Sequence, residues 1–380
     1  MRPERRPSAR ALVRRAPHLV VYWLGDRLVF ENYLTGARYT AEPEALGILA
    51  YFNDWRDPAR IAADFPHYQP ASLTRAVDKL LRATLLERTN GRRPTARAGD
   101  GWTSWHPAAG LLHFSTKDLT YDHPERVTRA LRALSRRKPR PAPIKRYRRA
   151  PQVELPAPRA DGEFARVLLD RRTWRRFARR PVSLAALSTL LGLSARVQHW
   201  ADVADVGRLP LKTYPSGGAQ HPLEVYVVAR RVSGLPAGLY HYASDAHTLE
   251  RLKKGATARQ IARYLPTQDW YGAAAALIVI TAVFPRMQWK YRFPRAYRAV
   301  LTEAGHLCQN LCLTATWLGL APFCSLALAD SAIERDLGID GVSESVLYAA
   351  GVGARPADTD WAPWPTRQRR IRRVPNTRLS

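Results

Sequence analysis

Gln288–Leu320, QWKYRFPRAYRAVLTEAGHLCQNLCLTATWLGL, is the stretch on which the reading of the chain turns. It opens on the pair Lys290–Tyr291, followed by three further cations, Arg292, Arg295 and Arg298. From about Arg298, the residues Val300, Ala304, Leu307, Leu311, Ala315 and Leu318 recur at spacings of three and four. That period predicts a long helix with one apolar stripe. His306, Gln309 and Asn310 lie off the stripe, and Cys308 and Cys312 flank it as small hydrophobes. Gly319 supplies the left-handed residue that stops such a helix. Upstream, Tyr271–Phe284 reads as a strand leaving the core. The result is a buried helix with a basic, aromatic segment at its mouth, and chemistry is expected there.

Working outward, the 380 residues suffice for one sizeable domain and a smaller one, and 46% hydrophobic content marks a globular chain rather than a disordered one. The longest apolar run, YGAAAALIVITAVF, is about 14 residues, too short to span a bilayer and suited to a buried strand. Charge rather than an apolar core follows Met1, so no secretory signal is read and a cytoplasmic, reducing location is expected. Three cysteines, Cys308, Cys312 and Cys324, have neither CxxC spacing nor the clustered His or Cys partners of a zinc site, so no disulfide framework and no metal site are expected. The net charge of +28 is concentrated in Arg2–Arg15, Arg132–Arg149 and Arg367–Arg378. These runs contain Pro or lie at termini, which suits solvated tails and a linker; an acidic peptide or a nucleic acid is the alternative partner.

In chain order, residues 1–18 read as a basic disordered arm. Residues 19–90 form a winged-helix-like module. Three β-rich runs turn at Gly25–Asp26 and Thr35–Gly36, and helices follow over Pro43–Phe52, Pro58–Phe65 and Ser72–Leu86, the last capped by Ser72. That third helix offers only Arg75, Lys79 and Arg82, interspersed with Asp78, too sparse a set for reading a major groove, so nucleic acid is not the expected partner. Residues 91–160 read as a linker, within which WHPAAGLLHFSTKDLTYD is an arm that packs over the larger domain.

The larger domain runs over 161–358, with 359–380 a basic tail. Its first helix places Leu168 and Leu169 inward and leads into RRTWRRF, Arg171–Phe177. On an extended segment Arg171, Thr173 and Arg175 point the same way, a set that suits a phosphate; the plain alternative is an Arg-rich helix end. In YPSGGAQHP, Gly217 and Gly218 allow close approach of a flat ring or polyol and Ser216 can hydrogen-bond it; the alternative is a tight loop without a ligand. Strand Leu223–Ala229 follows, then GLYHY with Tyr240 and Tyr242 packing. After the long helix, GLAPFCSLAL returns toward a helix over Asp330–Leu337 and a strand over Val346–Ala350.

RRTWRRF, TYPSGGAQHPLEVYVVARR, GLYHY and the Lys290–Leu320 stretch, in that order, resemble the flavin-dependent nitroreductase family, over roughly Asp161 to Arg355. Within it they are similar to the SagB- or ThcOx-type azoline dehydrogenases of peptide natural product biosynthesis, and the order of elements in 19–90 resembles their PqqD-like leader-binding domains. The resemblance implies an α+β fold, a mixed and largely antiparallel sheet wrapped by helices, with FMN at a homodimer interface. It implies FMN contacts by Arg171, Arg172, Thr173 and Arg175, by Pro215, Ser216 and Gly217, by Gln309, by Cys324 and Ser325 after the helix, and by Arg355 in GVGARP. Lys290 and Tyr291 match the family's KY pair, with Lys290 as a base whose pKa burial and neighbouring arginines lower. The implied reaction is dehydrogenation of thiazolines or oxazolines in a ribosomally made peptide. A precursor peptide and a cyclodehydratase are the implied partners, and no membrane is involved. Thr173 stands where the family has Ser, and Ala321–Pro322 where it is commonly Gly-rich, which puts the contacts after Leu320 in doubt. The competing readings are a generic NAD(P)H-dependent flavin reductase and a non-enzymatic nucleic-acid- or peptide-binding protein.

Overall fold

Residues 11–89, 98–137, 161–204 and 207–357 are described by a computed structural model. The basic tail 359–380, most of the arm before residue 11 and the Arg/Pro-rich run from 138 lie outside the described residues. The chain divides into two compact units. One comprises Met1–Lys117, Val283–Leu301 and Ile339–Ser345; the other Asp118–Ala282, Thr302–Gly338 and Val346–Ser380. The division does not follow the boundaries read from sequence, because the Lys290–Tyr291 segment belongs to the first unit.

The first unit opens with strand β1 (Leu12–Arg15), where a disordered arm was expected. Val13 is fully buried and the strand pairs antiparallel with the end of the module, so an apolar side chain and an unmet sheet edge override the local basic composition. β2 (Leu19–Leu24), β3 (Arg27–Asn32) and β4 (Ala37–Thr40) form an antiparallel meander, with β4 at its edge. Its turns use Gly25 and Gly36 at positive φ, 64° and 69°. Helices α1 (Glu44–Tyr51), α2 (Ile61–Asp64) and α3 (Pro70–Arg82) follow, and β5 (Leu86–Thr89) closes onto β1. α3 starts two residues before the expected Ser72 cap, with Pro70 in its first turn, a position Pro tolerates because that N–H has no intrahelical partner. Leu73, Val77 and Leu80 of α3 pack with Phe30, Leu49, Phe52 and Leu85 in one core. Each large apolar side chain buried there contributes about 1.5–3 kcal/mol.

The segment read as linker is ordered over residues 98–137: a 3-10 stretch at Ala98–Ser104, then α4 (Pro107–Ser115) in the first unit and α5 (Pro124–Arg137) in the second. In the second unit, α6 (Glu163–Asp170) leads to β6 (Val182–Ser183), α7 (Leu184–Ala195) and the hairpin β7 (Val197–Val203) and β8 (Gly207–Lys212). Leu168 and Leu169 are each 44% exposed, so the inward face expected of α6 is not formed.

β9 (Leu223–Ala229), the short β10 (Val232–Ser233), β11 (Gly238–Ala243), β12 (Thr248–Lys254), α8 (Ala258–Tyr264) and β13 (Ala276–Val283) come next. α9 (Phe284–Lys290), of the first unit, is followed by α10 (Arg295–Trp317), β14 (Leu320–Ser325), α11 (Asp330–Leu337) and β15 (Glu344–Ala354). The six-stranded sheet has the order β12-β11-β9-β13-β15-β14, antiparallel at β12/β11, β11/β9, β9/β13 and β15/β14. β13 is buried on both faces from Ala276 to Ala282, which explains its unbroken apolar run. The strand is shorter than the expected Tyr271–Phe284: residues 271–273 lie in a 3-10 turn and Phe284 opens α9. α+β with a largely antiparallel sheet is therefore the fold.

α10 begins three residues before the expected Arg298 and ends where expected, Gly319 standing at φ 68°. GVGARP, read as a closing turn, is for its first four residues the end of β15. Glycine is used there for close approach. A Cβ at Gly351 would lie 2.3 Å from the Phe323 ring, and one at Gly353 2.6 Å from the ring of Phe177.

Candidate functional site

RRTWRRF follows α6 as an irregular segment, and the backbone ties it to the strand after the long helix. Trp174 N donates to Pro322 O at 2.9 Å, Ala178 bridges Ala354, and the rings of Phe177 and Phe323 lie 5.7 Å apart. Three pieces that sequence reading assigned to one ligand, Arg171–Arg175, Cys324–Ser325 and Arg355, thus meet in space. Their side chains are not equally available. Arg172 Nη1 donates to Leu169 O and Arg171 O, capping α6. Arg355 donates from Nε to Leu320 O at 2.8 Å and from Nη2 to Thr316 O at 3.1 Å, and lies 5.5 Å from the Trp174 ring centre. Its guanidinium caps the C-terminus of α10, and burial lowers its pKa below the usual arginine value. Thr173 is exposed, and Arg171 and Arg175 are half-buried.

The second group surrounds the turn after Tyr214. Gly218, Ala219 and His221 all have positive φ, at 59°, 56° and 39°. Ser216 Oγ accepts from His221 N at 2.8 Å, which closes the turn. Thr213 Oγ1 donates to Leu193 O and accepts from Asn310 Nδ2 of α10, at 2.7 and 3.4 Å. Pro215, Ser216 and Gly217 therefore stand on a braced turn, whereas Gln309 is exposed on α10. Sequence reading missed Glu303 and His221, which are 2% and 4% exposed with Oε1 and Nδ1 3.7 Å apart. The signal was present, since Glu303 falls within a run of inward positions, between Val300 and Leu307.

Cys308 and Cys312 of α10 and Cys324 of β14 bring their sulfurs within 4.8 Å of one another. Sequence spacing suggests no clustered Cys partners for these thiols, and the structure corrects this; spacing conceals the grouping because the third cysteine comes from a different element. The Cys308 and Cys312 thiols, the Tyr348 hydroxyl at 3.7 Å and the charge of Arg171 pull the Cys324 thiol below its ordinary pKa. Ser325 Oγ exchanges hydrogen bonds with the Gln268 side chain and accepts from Ala327 N, so its hydroxyl is engaged.

Lys290 and Tyr291, in the first unit, end α9. Tyr291 N donates to Met287 O, and Tyr291 O accepts from Trp105 Nε1 at 2.9 Å. Trp105 belongs to a ring cluster with Trp102, His113, Phe284 and Tyr297, in which Trp102 and His113 stack at 4.9 Å. Trp102 Nε1 donates to Val342 O at 2.9 Å. His113 Nδ1 meets Tyr297 Oη at 2.9 Å, and burial pushes its pKa down to about 3, so the ring is neutral. The Lys290 side chain is exposed, with Nζ 5.4 Å from the Tyr291 ring centre. The burial invoked for it from sequence is absent.

The donor set fits an anionic, flat cofactor: guanidinium and hydroxyl groups at Arg171–Arg175, and a turn held in left-handed conformations at Gly218, Ala219 and His221. Among the described residues no helix is long and apolar enough to cross a membrane. A profile of the Nitroreductase family matches residues 168–354. The "putative nitroreductase MJ1384" of Methanocaldococcus jannaschii is 32% identical over 173 residues, covering 46% of this chain and 83% of that protein. The trifolitoxin-processing protein TfxB of Rhizobium leguminosarum bv. trifolii is 32% identical over 44% of this chain, and the microcin B17-processing protein McbC of Escherichia coli 30% identical over 34%. The chain spans 46% and 49% of the lengths of those two proteins. With the antiparallel sheet, the braced turn and the basic segment matched in one run, the chain belongs to the nitroreductase family of oxidoreductases.

Proposed function

We propose that this chain is an FMN-dependent dehydrogenase that oxidises thiazolines or oxazolines in a ribosomally made peptide to thiazoles or oxazoles. The observation that carries the reading is Lys290–Tyr291 at the end of α9, its backbone fixed by Met287 and Trp105 while the Lys290 side chain stays exposed. A fixed backbone with a free amine suits a base that meets its substrate from outside. FMN, when bound, supplies the hydride acceptor. Arg171, Thr173 and Arg175 would hold its phosphate, with Arg172 and Arg355 shaping the segment from their capping positions. Pro215, Ser216 and Gly217 would line its ring or ribityl chain, and Gln309 and the backbone at Cys324–Ser325 would complete the cradle. Lys290 then takes the proton from the carbon next to the substrate carbonyl, and Tyr291 orients the heterocycle.

The remaining parts of the chain suit the same task. Among the described residues β4 is an edge strand of its sheet, and beside it a cavity of about 690 Å³ is lined by Tyr39, Ala45, Ile48, Phe65, Leu73 and Leu80. An extended leader peptide can pair with such an edge and place apolar side chains in the groove. Phe164, Leu168 and Leu169 of α6 and Trp317 of α10 leave apolar surface exposed for a second copy, as expected of a homodimer. TfxB and McbC are named for processing trifolitoxin and microcin B17, which favours a precursor peptide as substrate; in this reading a cyclodehydratase supplies the azoline.

The test is to incubate the purified chain with FMN and an azoline-bearing peptide and follow the peptide by mass. Loss of two hydrogens per heterocycle, abolished by Lys290→Ala, is expected. A protein that retains no flavin and leaves the peptide unchanged would sink the proposal. The identity to the M. jannaschii protein MJ1384 favours a second reading, a generic NAD(P)H-dependent flavin reductase, which rapid NAD(P)H oxidation with nitroaromatic or quinone acceptors and an inert peptide would establish.

A further inference from the structure

Glu303 is a carboxyl group where the packing of α10 calls for an apolar residue. Val300 and Leu307, three before it and four after, are fully buried, and Glu303 itself is 2% exposed. No well-aligned hydrogen bond closes on either of its oxygens. A buried acid is destabilising unless its surroundings use it, and what lies against Glu303 is the Ser216–His221 turn. The Ser216 hydroxyl and the Gly217 N–H face the carboxyl, and His221 Nδ1 stands 3.7 Å from Oε1. Lys212 on β8 is the cation that faces both Glu303 and His221, and Tyr214 sets its ring edge-on to His221 at 5.1 Å.

The turn needs an anchor. Ala219 and His221, neither of them glycine, are held at positive φ, a conformation that persists only where surrounding structure enforces it. Two residues of α10 reach this region. Asn310 donates to Thr213 at its entry, and Glu303, seven positions earlier and so on the same helix face, sits under its middle. We propose that Glu303 is the positioning residue of this turn, its buried carboxyl packed beneath the Ser216–His221 turn, 3.7 Å from His221 Nδ1, so that it supports the shape in which the turn meets its ligand. That the ligand is FMN rests on the function proposed above; that Glu303 sets the shape of the turn does not.

The two parts separate experimentally. FMN is titrated into the full chain by quenching of flavin fluorescence, and amide hydrogen exchange is measured across 214–222 without FMN. For Glu303→Ala, loss of the carboxyl beneath the turn predicts exchange in the turn at least roughly tenfold faster and FMN binding at least roughly tenfold weaker, the scale of one lost buried polar contact. Glu303→Gln keeps an acceptor of the same length and should stay within about threefold of wild type in both measurements. Leu307→Ala, a cavity on the same helix, should lower the melting temperature but leave FMN affinity within about threefold of wild type. A Glu303→Ala chain with wild-type exchange and affinity overturns the inference. So does Leu307→Ala weakening FMN as much as Glu303→Ala, since that would make the effect ordinary destabilisation. If wild type binds no FMN, the cofactor reading fails and the exchange data alone decide whether Glu303 holds the turn.

Discussion

Around α10, Arg355 gives two donors to the carbonyls of Thr316 and Leu320, Arg172 caps α6, and Ser325 and Asn310 each have a side-chain partner. Around the end of α9, the rings of Trp102, Trp105, His113 and Phe284 pack tightly, yet the Lys290 side chain they lead to is exposed. In the first region polar side chains are fixed by hydrogen bonds to backbone and side-chain partners; in the second, apolar side chains fix the backbone and leave the Lys290 side chain exposed. A binding site benefits from the first arrangement, because a cradle ordered in advance loses little entropy when occupied. A base that must reach a proton on an incoming peptide benefits from the second.

The comparison breaks most visibly at Lys290. Lys290→Ala should cost about 10²- to 10⁴-fold in azoline oxidation while FMN binding stays at wild-type strength. If flavin is lost with activity, Lys290 belongs to the cradle and the contrast fails. Next is the ring cluster. Trp102→Ala should destabilise the first unit by roughly 3–5 kcal/mol, seen as a lower unfolding midpoint in urea. An unchanged midpoint would mean that the rings do not fix the backbone at Tyr291.

The third prediction uses pH. Burial pushes Glu303 from 4.5 up to about 7, so the folded state binds its proton more tightly than the unfolded chain does. This contribution is fully present below pH 4.5 and is lost as pH rises toward 7, in total roughly 3 kcal/mol at most. His113 acts in the opposite sense: its pKa falls from 6.5 to about 3, so stability is lost as pH drops through that interval. Glu303→Gln should therefore flatten the neutral side of the stability profile and leave the acid side in place. A profile unchanged by the substitution would show that the carboxyl is not buried in solution. Arg355→Ala should cost about 1–2 kcal/mol through the uncapped end of α10, measured by thermal unfolding. Smallest is Ser216→Ala, about 1 kcal/mol from the bond that closes the turn, and an effect no larger than that of an exposed serine would remove Ser216 from the brace.

Much of this was legible in the chain. The three-and-four spacing from Val300 to Ala315 located α10, Gly319 its end, and the unbroken apolar run β13, because burial on one or both faces leaves a period in sequence. Gly25 and Gly36 marked the turns of the first sheet for a similar reason. The misses share a cause as well. Leu12–Arg15 is a strand because Leu86–Thr89 pairs with it, more than seventy residues on, and no local pattern carries that. The three sulfurs meet because β14 brings Cys324 back against α10. Lys290 looked enclosed because arginines surround it in sequence, whereas in space those side chains, like its own, are exposed. Arg355 looked like a ligand contact, and the carbonyls of Thr316 at the end of α10 and Leu320 at the start of β14 supply the competing partners.

Gly351 and Gly353 bear on how natural variants and mutational scans of this chain are interpreted. Any side chain at either position would collide with an aromatic ring, Phe323 or Phe177, that holds the basic segment against β14 and β15. Both glycines should tolerate substitution as poorly as residues that touch a substrate, though neither has a side chain with which to perform chemistry. A map of intolerant positions would therefore draw the catalytic region too wide along β15. Pairing Gly351→Ala with a smaller residue at Phe323 would show the difference, since a packing conflict can be relieved by its neighbour and a missing functional group cannot.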